Sequence, residues 1–191
     1  MIALITALVL FVAALTERLG AGNRGYLEKI NADLLVYQRK SDLLAEASFI
    51  DSARLNAIRR VEGVAAAASI GFSNVSVYYK NVEIPLKVAL IGVDPGQPGE
   101  PPVSTGSQLS GRRGAQVIID RTTAFRTGLQ PGDTLTVKST QGTDDQLYPL
   151  VVTGITEGRQ YGLQPTLFVP YEAWGRIKPG RGLRRQRARR C

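Results

Sequence analysis

The sequence predicts an α+β fold behind an N-terminal transmembrane helix. Three observations carry this. Met1 to Leu15 is apolar on every helical face, with Thr6 its only polar side chain. Several short β-branched and apolar runs, bounded by Gly, Pro, Asn and Asp, follow from about residue 66 onward. Between them stand two short segments with helix start and stop signals, "SFIDSARLNAIRRVEGV" and "DRTTAFRTG".

The opening stretch "MIALITALVLFVAALTERLGAG" admits three readings. At about 1.5 Å per residue, fifteen helical residues reach about 22 Å, part of a hydrocarbon core roughly 30 Å thick. Use of residues through Leu19 extends it, and Glu17-Arg18 then marks the exit from the bilayer. A secretory signal is the second reading, with Val12 and Ala14 before a cut, but Met1 to Thr16 contains no Lys or Arg to form the charged start. A buried core helix is the third. Uniform apolarity favours the span.

Next along the chain, "ADLLVYQR" (32–39) reads as a strand. Asp51 or Ser52 caps a helix whose buried stripe is Ile50, Leu55, Ile58 and Val61, and Gly63 ends it. Strands are expected at 66–72, 75–80 and 84–92, the last two joined through "KNVE". The Pro-, Gly- and Ser-rich stretch 94–111 reads as an exposed connector. "QVIID" (116–120) is a buried strand, Arg121 to Thr127 a short helix capped by Asp120, and Pro131-Gly132-Asp133 a turn into the strand 134–138. "QLYPLVVTGITEG" is a strand with Pro149 at an edge or bulge, and "TLFVPYEAW" is a strand followed by a helical turn.

Composition narrows the chemistry. The 191 residues include no histidine, which removes the usual general base and the commonest metal ligand. The single cysteine, Cys191, forms neither an internal disulfide nor a cysteine-cluster metal site. The formal charge of +8 is confined to the end: from Arg176 onward there are eight basic residues and no acid. The remaining 16 basic side chains face 16 acidic ones, so the body carries no footprint for nucleic acid. No GxxxxGK[ST] sequence is present, and the one GxGxxG match, Gly20 to Gly25, follows the apolar helical run and not a strand, so it lacks the context of a dinucleotide-binding turn. Ser73 and Ser110 lack a histidine partner, Asp144 and Asp145 read as a polar hairpin tip, and Trp174 reads as core or interface anchor. Catalytic residues, cofactor-binding residues and metal ligands are therefore all expected to be none.

The order of these pieces, with "ADLLVYQ", "VEGVAAAAS", "QVIIDRTTAFRTGLQPGDTLTVK", "LVVTGI" and "PTLFVPYEAW", resembles the extracytoplasmic domain of MacB/FtsX-type ABC transporter permeases. Its most specific part is D-x-x-x-A-x-x-x-G-L-x-x-G-D-x-L-x-V, Asp120 to Val137. The resemblance implies a first transmembrane helix at 1–23 and a MacB-like extracytoplasmic domain at 24–179. Within that domain it implies an α+β lobe with an inserted β-rich lobe at about 96–160. By the same resemblance the partners are a separate ABC ATPase subunit, a second permease copy and membrane lipid. No cofactor and no nucleic acid are expected, and the location is the plasma (inner) membrane with the main domain periplasmic or extracellular.

The ends depart from the family pattern: Met1 falls inside the apolar run, and "RGLRRQRARRC" stands where further spans are expected. The expectation is a permease fragment truncated at both ends, with 180–191 a non-native or frameshifted basic tail. The rival is a secreted or membrane-anchored binding domain acting alone, its tail touching anionic lipid or nucleic acid.

Overall fold

A computed structural model of the chain describes residues 5–8, 11, 30, 32–39, 41, 48–80, 82, 84–141, 144–157, 161 and 164–178. Its elements are α1 (Ser52–Ile58), β1 (Ile70–Tyr78), β2 (Leu86–Val93), β3 (Thr105–Gly106), β4 (Gln116–Asp120), α2 (Arg121–Thr127), β5 (Thr134–Gln141), β6 (Asp144–Thr156), β7 (Thr166–Pro170) and α3 (Tyr171–Ile177). The mixed α+β class matches expectation.

The strands run in the order β3-β6-β4-β7-β2-β1-β5, and β5 pairs again with β6. Six strands thus close into a ring, with β3 attached outside it on β6. Closure removes most unpaired sheet edges, a persistent liability of β proteins. The β2–β7 and β4–β6 pairs are parallel and all others antiparallel. The β4–β6 register slips between Val117 and Ile118, which face Val152 and Gly154 respectively, so Thr153 is the extra residue of a bulge.

Strand alternation builds two apolar layers. Val75, Val77, Val88, Leu90, Val117, Ile119, Leu135, Val137, Leu150, Val152, Leu167 and Val169 share one buried cluster with Leu129, Trp174 and Ile177. The alternate residues Ile91, Val93, Ile118 and Phe168 form a second cluster with Leu109 and Ile30. Both faces of β2, β4 and β7 are therefore covered, which explains their nearly unbroken apolar sequences.

Helix α3 lies across β1 and β2, and its Trp174 is only 7% exposed. The indole sits where two strands carry glycine: a Cβ on Gly71 would be 2.5 Å from Trp174 Cδ2, and one on Gly92 would be 2.6 Å from Trp174 Cβ. Trp174 Nε1 donates to Ser73 Oγ at 2.9 Å, and the Tyr171 ring stacks at 5.3 Å. Burial pushes the Tyr171 phenol above its ordinary pKa. Arg113 pairs with Glu172 at 2.6 Å, Arg176 Nη2 donates to Arg113 O at 3.1 Å, and Tyr148 OH donates to Arg176 O at 3.0 Å. These contacts pin α3 from the β4 side and the β6 side.

Local signals work as read around α2. Asp120 caps it, and Gly128 adopts φ +64° with its N–H donating to Ala124 O at 2.8 Å. Asp133 Oδ2 accepts from Gln130 N at 2.9 Å and closes the turn whose Gly132 has φ +99°. Pro149 faces Thr136 of β5, while β4 pairs with β6 only from Val151 onward. The proline thus occupies a stretch of β6 with a neighbour on one side, as the edge expectation requires.

Four expectations need correction. Residues 32–39 join no ladder among the described residues; Leu34 is exposed, so the apolar run there is not a sheet strand. Helix α1 begins at its Asp51 cap, with Arg54 N donating to Asp51 Oδ1 at 2.8 Å, but has no buried residue, and Val61 is 57% exposed. The strands expected at 66–72 and 75–80 are one strand, β1, starting at Ile70, because β2 ends opposite it at Val93. The connector is not simply exposed: Ser104 N donates to Ile155 O and Ser107 N to Thr153 O, each at 2.8 Å, and Leu109 is buried in the second cluster.

Of the N-terminal segment, residues 5–8 and 11 are helical, with Ile5, Leu8 and Phe11 exposed. Among the described residues no helix is long and apolar enough to cross a membrane. The rest of the expected span, and the basic tail with Cys191, lie outside the described residues.

Candidate functional site

Asp120, Ser73, Ser110 and Asp145 each have a defined place, while the side chain of Asp144 lies outside those described. Asp120 is 1% exposed. Its Oδ1 accepts from Thr123 N at 2.8 Å, from the Thr123 hydroxyl and from Thr166 N at 3.2 Å. One carboxylate oxygen thereby caps α2 and ties β4 to the start of β7. Three donors on one oxygen compensate its burial.

Ser73 Oγ accepts from the Trp174 indole and donates to Leu90 O at 3.5 Å. Ser110 bonds the Gln116 amide through both its N–H, at 2.8 Å, and its hydroxyl. An indole, a carbonyl and an amide are not bases, so neither hydroxyl is activated by these partners.

At the β5–β6 hairpin, Lys138 Nζ pairs with Asp145 Oδ2 at 2.6 Å and Thr140 Oγ1 donates to Asp145 Oδ1 at 2.9 Å. The ammonium, with help from the hydroxyl, holds the Asp145 carboxyl below its ordinary pKa; the carboxylate in turn raises that of Lys138. Both directions agree with an ion pair across the ladder, where Lys138 faces Leu147 and Thr140 faces Asp145. Among the described residues no group of three His, Cys, Asp or Glu side chains could hold a metal ion.

The surface feature that sequence reading missed is a groove of about 340 Å³ lined by Arg59, Val64, Ala65, Ala66, Ala67, Gln97 and Arg112. Arg59 leaves the end of α1 and its Nε donates to Ala67 O at 2.9 Å, fixing one wall. Gln97 and Arg112 come from the connector and the loop before β4. The three segments are far apart in sequence, and the alanines carry no signal of their own.

The fold has counterparts among solved structures. The periplasmic region of MacB from Actinobacillus actinomycetemcomitans matches with a TM-score of 0.50 and 13% identity, over 82% of this chain and 72% of that one. The extracellular domain of the noncanonic ABC-type transporter YknZ from Gram-positive bacteria matches with a TM-score of 0.49 and 16% identity, over 66% of this chain. This chain spans 65% of the length of that YknZ domain. At such identities the likeness is one of fold. No family model matches the chain, and no curated protein matches it in sequence.

Proposed function

We propose that the chain is a permease subunit, or a fragment of one, of an ABC transporter. The observation that carries this reading is the fold shared with the periplasmic region of MacB, over most of the chain. In this reading residues 1–23 form the membrane helix and its extension, residues 24–179 the extracytoplasmic domain with a β-rich lobe at about 96–160, and residues 180–191 a basic tail. The subunit lies in the plasma (inner) membrane, pairs with a second copy, and works with a separate ATPase subunit that hydrolyses ATP.

The domain transmits ATPase-driven motion outward and contacts substrate or a partner, with no catalysis of its own. The pinning of α3 by Arg113, Glu172, Arg176 and Tyr148 supports a transmitting role, because a push arriving along the chain at residue 178 meets a helix fixed to the barrel. The exposed Ile5, Leu8 and Phe11 on helical backbone support a lipid-facing segment.

The test is membrane extraction followed by domain exchange. The chain expressed in bacteria stays in the pellet after alkaline carbonate washing, and its domain restores transport when exchanged into a MacB-type permease. Release of the chain into the wash, or transport that is unaffected when the domain is deleted, refutes the reading.

A further inference from the structure

Strand β1 has its last partner at Ile70, opposite Val93. The chain before it, 64–69, remains outside every ladder yet runs on from the same strand. Val64 N donates to Val61 O and Ser69 N to Asp94 Oδ2. Between these points the N–H groups of Ala65, Ala66, Ala67 and Ala68 have no partner among the described residues. Ala65 and Ala66 are exposed. Successive donors of an extended backbone alternate in direction, so every second one, with the carbonyls other than the Ala67 O that Arg59 occupies, is a template for a further strand at the usual spacing of about 4.8 Å.

The groove beside this row is cationic. Arg59 and Arg112 are both exposed, Gln97 adds an amide, and among the described residues no carboxylate lines the groove. Arg112 has no ion pair among the described residues. The carboxylates that flank Gln97 in the chain are directed elsewhere. Asp94 accepts from Ser69 N, and Glu100 accepts from Gly96 N at 2.7 Å and Leu109 N at 3.2 Å.

We propose that the groove formed by Arg59, Gln97, Arg112 and the 64–68 backbone receives an extended acidic segment of a partner protein. The segment adds to this backbone as a strand, and its carboxylates pair with the two guanidinium groups. Strand addition supplies main-chain hydrogen bonds, and the arginines supply selectivity for acid. This deepens the reading of the domain as a partner-contacting element by naming the partner's chemistry. Its failure would leave membrane retention and transport, the tests of that reading, unchanged.

The experiment uses the full chain in neutral detergent micelles and a fluorescein-labelled octapeptide of alternating Thr and Glu. Fluorescence anisotropy should show saturable binding, with amide shifts at Ala65 to Ala68 in NMR spectra. Arg59→Gln and Arg112→Gln should each weaken binding about tenfold, as loss of a charge-assisted bond predicts. The same peptide N-methylated at alternate backbone amides should also bind about tenfold more weakly, and its Lys-for-Glu counterpart not at all. Circular dichroism checks that both exposed-site variants stay folded.

Equal binding of the N-methylated peptide would overturn strand addition. Unchanged binding by the arginine variants would overturn the charge assignment. Arg-dependent binding of inorganic phosphate or of phosphatidylglycerol vesicles, without binding of the acidic peptide, would overturn the proposal in favour of a small-anion or lipid site.

Discussion

Substitution of Gly92 by alanine tests whether the barrel and α3 are one packed unit. The new Cβ would lie 2.6 Å from both Cβ and Cγ of Trp174. Carbon atoms in contact rest at about 3.5–4.0 Å, so Trp174 has to retreat by about 1 Å. Rotation about χ1 cannot relieve a clash with the side chain's own Cβ, so α3 itself must move. That motion works against the Ser73 bond to the indole and the Arg113–Glu172 and Tyr148–Arg176 contacts. Overpacking of this kind costs about 1–3 kcal/mol. Alanine recovers about 0.5–1 kcal/mol of backbone entropy relative to glycine, so the net expectation is a destabilisation of about 1–2 kcal/mol.

Urea unfolding followed by circular dichroism measures it. A Tm lower by about 2–8 °C is the thermal counterpart for a chain of this size. The decisive comparison is the double-mutant cycle. Trp174→Ala alone should cost about 3–5 kcal/mol. In that background Gly92→Ala meets no ring and should be neutral or stabilising by up to about 1 kcal/mol. Equal cost of Gly92→Ala with and without Trp174 would refute the assigned contact.

Two further outcomes follow from other sites. Asp120→Ala removes the α2 cap and leaves Thr166 N buried without its acceptor, so it should lower stability by about 2–4 kcal/mol; a shift in urea midpoint equivalent to under about 0.5 kcal/mol would contradict the cross-link. The depressed pKa of Asp145 means that its share of stability is present above the unfolded carboxyl value and is lost as pH falls through the folded one. Its carboxyl resonance should therefore titrate below pH 3.8, the ordinary value, and move back up in Lys138→Met, whereas a midpoint at or above that value in the native chain would break the argument.

Legibility of the fold in the sequence followed the range of each interaction. Asp120, Gly128 and Gly132 were readable because a cap or a turn is decided within four residues. Pro149 was readable as an edge because a missing N–H restricts its neighbours wherever it stands. Residues 32–39 misled because an apolar run specifies burial but not a pairing partner, and none is present there among the described residues. The start of β1 was misplaced because Ala66 to Ser69 would suit a strand equally well, and only the end of β2 decides where the ladder stops.

Ring closure was beyond reach for a similar reason. Pairing of β5 with both β1 and β6 joins residues about sixty apart as well as hairpin neighbours. The groove at Arg59 and Arg112 depends on three distant segments meeting, and it inherits that illegibility. The absence of histidine, by contrast, limited the chemistry before any geometry was known.

The position of β7 sets a schedule for assembly. The C-terminal strand among the described residues inserts between β2 and β4, pairing with both. A chain emerging N-terminus first therefore holds one open sheet, β4-β6-β5-β1-β2 with β3 on β6, whose apolar margins β4 and β2 stay unpaired until residues 166–170 arrive. Pairing of that kind is slow and leaves sticky intermediates. Non-local closure of this kind exposes the unfinished sheet to aggregation for longer than successive hairpins would.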